Sequence, residues 1–80
     1  MSGTLEQLDV RKIPPQKKHS TIFDKYDALE EGQAMMIIND HDPKPLQYQM
    51  AAIHGADNFS WNYLEEGPDV WKVYIEKFTS

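Results

Sequence analysis

The six residues AMMIIN, Ala34 to Asn39, constrain this chain more than any other stretch. They form an unbroken apolar run of strand length. A strand with one wet face would alternate polar and apolar side chains, so a run of this kind suits a strand in the middle of a sheet or covered on both sides. The whole chain has 80 residues, which sets the scale: a single domain over residues 1–80, with its core from about 5 to 78 and about 60–65% of its unfolded surface buried.

The neighbouring segments supply partners for that strand. Leu5, Leu8 and Val10 give a short strand signal over Thr4 to Val10, broken by RKIPPQ because consecutive prolines cannot continue a ladder. Ile22, Phe23, Tyr26 and Leu29 fall at helical spacing, with Gly32 expected as the residue just past the helix end. Pro15 suits the first helical position, where its missing N–H costs nothing; Ser20 could instead cap a shorter helix, and the longer one is preferred. After Asn39, Asp42 reads as an N-cap and Pro43 as the first helical residue, followed by a Leu46, Met50, Ile53 stripe that ends at Gly55. Phe59, Trp61 and Tyr63 alternate with polar residues, EEGPD makes a turn, and Trp71, Val73 and Ile75 alternate again. The expected fold is α+β, a two-layer α/β sandwich in the order β-α-β-α-β-β, with two helices on one face of a four-stranded mixed sheet.

Composition removes several functions. The absence of cysteine excludes disulfides, thiolate metal sites and thiol nucleophiles. The net charge of −5 and pI near 4.9 disfavour nucleic acid, whose phosphates an acidic chain repels. MSGTLEQLDV lacks the basic and apolar regions of a signal peptide, and no apolar segment approaches the roughly 20 residues of a membrane span. A cytoplasmic protein without a membrane partner is expected.

The positive charge is uneven. Arg11, Lys12, Lys17, Lys18 and Lys44 flank the two proline-containing turns and suggest a small basic patch against a background of ordinary mixed surface. Strands joined by a helix should run parallel, so RKIPPQKKH and NDHDPKP should meet at one sheet edge, where open α/β sheets commonly place ligands. Both turns lead into helix N-termini, whose free N–H groups favour anions. The candidate ligand-binding edge is Lys17, Lys18, His19, Asp40, His41, Asp42 and Lys44. His54 lies at the far end of the second helix and is excluded. His19 shares the apolar face of Ile22 and Phe23, where a lone histidine is more often packed and hydrogen-bonded than a ligand. His41 is not needed for the turn that surrounds it. Trp61, Tyr63 and Trp71 are common interface residues, yet cross-strand packing explains them more simply.

LDVRKIPPQKKHSTIFDKYDALEEGQ, INDHDPKPL and FSWNYLEEGPDVWKV together resemble the bacterial and archaeal domain-of-unknown-function family 2249, over Leu8 to about Lys77. The resemblance implies the TusA/SirA-like fold of sulfur carriers, the same order that the periodicity suggests. Sulfur carriers have LDxRGxxCPxP; alignment on LDVR puts Pro15 at the cysteine position, and no thiol exists to hold a persulfide. Members of the family often accompany hemerythrin-like or cupin domains or genes of nitrogen-oxide metabolism, which implies a role near metals or redox stress by association alone.

Three functional readings follow. The first is a small regulatory or protein-interaction domain with a partner protein. The second is a metal- or heme-binding module, in which His19 and His41 hold zinc, iron or heme with Asp40 or Asp42 as a carboxylate. Its weakness is the 21-residue gap between the histidines and the lysines beside them. The third is an anion or small-metabolite module at the two helix N-termini. No Ser-His-Asp spacing and no phosphate-cradling glycine loop is present, so the sequence leans away from an enzyme and no catalytic residue is named.

Overall fold

The computed structural model describes residues 6–78. Its elements are β1 (Glu6–Asp9), α1 (Pro15–Asp27), β2 (Ala34–Asn39), α2 (Lys44–His54), a short 3-10 turn (Ala56–Asn58), β3 (Phe59–Glu66) and β4 (Trp71–Lys77). The four strands form one sheet in the order β1-β2-β4-β3. The β1–β2 pair is parallel, while β2–β4 and β3–β4 are antiparallel. This is the expected mixed sheet, and AMMIIN is an internal strand of it. The part of the first expected strand at Thr4 and Leu5 lies outside the described residues.

The strand period of two sorts the sheet into faces. Met35 and Ile37 of β2 pair with Ile75 and Val73 of β4, and all four are fully buried. Ile22, Tyr26 and Leu29 of α1 and Leu46 and Met50 of α2 complete the same core cluster. Along β3 the residues of that face are Phe59, Trp61 and Tyr63. Their rings continue as edge-on contacts from Trp61 to Tyr63 at 6.3 Å and from Tyr63 to Trp71 at 6.1 Å between centroids.

Local structure departs from the sequence reading in three places. First, α1 does start at Pro15, with Pro14 as N-cap, but it ends at Asp27 with Ala28 as C-cap. Gly32 is therefore not the helix-terminating residue. It sits in the turn before β2 at φ +81°, where its N–H donates to the carbonyl of Lys77 at 2.7 Å. A side chain rarely adopts that backbone conformation, which explains the glycine. Second, α2 starts one residue later than expected, at Lys44 with Pro43 as N-cap. Asp42 still does a cap's work from outside: its Oδ1 accepts the Lys44 N–H at 3.1 Å.

Third, Ile53 does not complete the buried stripe of α2; it is 66% exposed. His54 turns inward instead and stacks on Tyr26 at 4.7 Å between ring centroids. Its Nε2 lies 3.6 Å from the Asp27 carboxylate. Leu46, Met50 and His54 thus make one i, i+4, i+8 face that meets the aromatic end of α1. Lys77 closes that end of the fold. It is buried, and its ammonium donates to the carbonyls of Leu29 at 2.9 Å and Tyr26 at 3.3 Å, the latter shared with the Leu29 N–H, so it caps the chain just past the end of α1.

Candidate functional site

Parallel pairing of β1 and β2 brings the two proline-containing turns to one edge of the sheet. Between them lies a cavity of about 50 Å³, lined by Lys18, His19, Ile22, Asn39, His41, Asp42, Pro43, Pro45 and Leu46. It is a small polar cleft with room for water or the end of a small ligand. Ile22 and Leu46 are core residues, so the floor is apolar and the walls are polar.

Lys18 is the unusual wall residue. It is only 9% exposed, although lysine is rarely buried without partners. Its Nζ donates to Asn39 Oδ1 at 3.1 Å and lies 3.8 Å from the Asp40 carboxylate. An ammonium has three N–H donors, so one hydrogen bond leaves capacity for another acceptor. Asn39 is there because β2 ends in phase: Met35, Ile37 and Asn39 share the face toward the helices. That parity buries the asparagine, at 4% exposure. Its Oδ1 also accepts the Asp40 N–H at 3.0 Å.

His19 is half-buried and makes no hydrogen bond or ion pair with any described residue. The expectation of a hydrogen-bonded core histidine therefore does not fit; the imidazole lines the cavity with both nitrogens unclaimed. His41 is exposed, and its Nδ1 meets Asp40 Oδ1 at 2.7 Å. A carboxylate only accepts, so the contact assigns a proton to Nδ1 and leaves Nε2 for another partner. The same hydrogen bond, with the nearby Lys18 charge adding to it, holds the Asp40 carboxyl below its ordinary value. Asp42 Oδ1 receives the Tyr63 hydroxyl at 2.7 Å. Burial and this bond together push the Tyr63 phenol above its ordinary value.

Of the residues proposed from sequence, Lys18, His19, His41 and Asp42 line the cavity, and Asp40 touches two of them. Lys17 and Lys44 are exposed and do not line it. The basic patch is also smaller than the sequence suggests. Arg11 is spent on Asp9, with a guanidinium nitrogen 2.6 Å from the carboxylate, and Lys18 is buried. Asp9, Asp40 and Asp42 stand at the same edge and balance it. His54 stays outside the cavity, as expected.

The helix N-termini offer less than expected. At α2, Pro45 has no N–H, Lys44 donates to Asp42, and Leu46 and Gln47 donate to the Pro43 carbonyl. At α1, Pro15 has no N–H, and Lys17 and Lys18 donate to the Pro14 carbonyl. An anion held at this edge would therefore meet side chains more than helix N–H groups. Among the described residues, no group of three His, Asp and Glu side chains comes together as metal ligands. Asn39 and Tyr63 were missed from sequence. For Asn39 the available signal was its strand parity with Met35 and Ile37.

A family model described as an uncharacterized conserved protein, DUF2249, matches residues 7–77. The chain belongs to that family. The match includes every residue of the cavity, so the site is part of the DUF2249 domain and not an appendage to it. No curated protein and no solved structure matches the chain. No described helix is long and apolar enough to cross a membrane.

Proposed function

We propose that this DUF2249 protein is a small binding module that takes a small carboxylate- or oxyanion-bearing molecule between α1 and α2. One observation carries the reading: the buried ammonium of Lys18, with one hydrogen bond to Asn39 and the Asp40 carboxylate 3.8 Å away, lines the same cavity as the imidazole of His19, which has no hydrogen bond to a described residue. A buried charge is stabilised by counter-groups, and an arriving anion supplies one in a site of reduced dielectric. The cavity admits the charged end of a ligand while the remainder stays in solvent. Zinc, iron or heme draws less support, because the Lys18 ammonium shares the wall and, among the described residues, no three His, Asp and Glu side chains come together.

The test is an NMR titration of labelled protein with sodium formate and sodium acetate. Saturable shifts should appear first at Lys18, His19 and His41. Shifts confined to β3 and β4, or none that saturate, reject the reading.

A second reading, a regulatory domain that docks on a partner protein, draws support from Tyr48 and Ile53, each 66% exposed on α2. They lie five residues apart, roughly 140° around the helix axis, so they are two separate exposed apolar points and not one contiguous patch. Replacing both with aspartate should leave the fold intact and abolish any co-purifying partner; an unchanged partner profile rejects α2 as the contact.

A further inference from the structure

The cavity wall also carries a half-buried charge of the opposite sign, Asp42. Asp42 has one oxygen, Oδ1, committed to Lys44 N–H and the Tyr63 hydroxyl, while among the described residues no hydrogen bond uses Oδ2. Lys18 and Asp42 line the same cavity but do not form an ion pair with each other. Each is held by its own neighbours: Lys18 by Asn39 and Asp40, Asp42 by the first turn of α2 and by β3. A cation and an anion that line one cavity without pairing present a dipole, and a simple anion engages only one end of it.

We propose that the ligand is a small zwitterion or hydroxy acid, whose carboxylate meets Lys18 and His19 and whose ammonium or hydroxyl donates to Asp42. The inference rests on the reading of the cavity as an anion site and narrows it to ligands that carry both an acceptor and a donor a few bonds apart. Ile22 and Leu46 form an apolar floor, which suits the short hydrocarbon spacer between the two groups. Pro43 and Pro45 add no N–H donors to the wall, so the donor groups that select the carboxylate are side chains. Tyr63 fixes the carboxylate of Asp42 from a separate strand, so that its free oxygen is presented without rearrangement when the ligand arrives.

The experiment compares glycine, glycolate, acetate and ethylamine by NMR titration against the whole chain. Glycine and glycolate are expected to bind about tenfold or more tighter than acetate, as one added charge-assisted hydrogen bond would give. Asp42→Asn keeps an acceptor for Lys44 and Tyr63. It should remove most of the advantage of glycine while acetate still binds, and a retained amide spectrum shows that the variant is folded. Equal affinity for acetate and glycine overturns the zwitterion assignment and leaves the anion reading standing. Ethylamine as the strongest ligand overturns the role given to Lys18. Failure of all four to bind overturns both proposals.

Discussion

Lys18 and Asn39 are joined by a buried hydrogen bond of 3.1 Å that links α1 to the last residue of β2. The two residues depend on it unequally. The long stem of Lys18 packs in the wall whether or not its end is charged. Asn39, by contrast, is the acceptor that makes burial of the ammonium tolerable. Asn39→Leu should therefore cost about 1–3 kcal/mol, the range for a buried polar group that loses its partner. Lys18→Met, which removes the charge and keeps the stem, should cost less. Urea unfolding of both variants and the double variant measures the difference. A larger loss for Lys18→Met would reverse this assignment.

Tyr63 ties β3 to the start of α2 through Asp42, 21 residues away in sequence. Loss of the hydroxyl in Tyr63→Phe should lower stability by about 1 kcal/mol, the usual net worth of one such bond. Asp42→Asn should bring the phenol of Tyr63 back toward its ordinary value, because a neutral amide opposes the phenolate less than a carboxylate does. Ultraviolet titration of the phenolate reads the change, and an unmoved titration curve would assign the upward shift to burial alone.

Asp9 carries a pH dependence whose sign is defined. Its carboxyl is lowered from 3.8 to about 2, chiefly by the hydrogen bond from the Arg11 side chain. The folded value lies below the unfolded one, so the pair's contribution is present above pH 3.8 and is lost as pH falls toward about 2. Arg11→Gln should raise the Asp9 midpoint part of the way toward 3.8, because the backbone N–H of residue 11 still donates to Asp9. Carboxyl carbon NMR between pH 1.5 and 5 follows it, over a range set by the usual aspartate titration. A midpoint still near 2 in the variant would mean that Arg11 is not the cause.

Gly67 begins the β3–β4 turn at φ +69°, and a Cβ built there would lie 2.9 Å from the Trp71 indole. The backbone conformation disfavours any side chain, and the ring leaves no space for one. Gly67→Ala should cost about 1–3 kcal/mol and shift the Trp71 fluorescence. Unchanged stability and emission would show that the turn accommodates a methyl group.

Much of the fold was legible because its signals are local. AMMIIN reads as an internal strand without any knowledge of its neighbours, and Pro15 marks the start of α1 through its own missing N–H. The edge that gathers Lys18, His19, His41 and Asp42 follows from one step more, the parallel pairing of strands that a helix joins. The misplaced inner face of α2 has a tertiary origin. Ile53 satisfies the apolar stripe of α2, but His54 has the aromatic partners Phe23 and Tyr26 across the fold, and their packing decides which of the two turns inward.

The sequence by itself determined the elements, their order and the edge at which the charged turns meet, because periodicity, proline and glycine act within a few residues. The tertiary structure decided which charges are buried and what each one meets. Lys18 differs from Lys17 only by a position on the helix, yet it is buried against Asn39 while Lys17 remains in solvent. Lys77 reaches the carbonyls at the end of α1 across 48 to 51 residues. Such partners are set by strand order and register, and no local pattern records them.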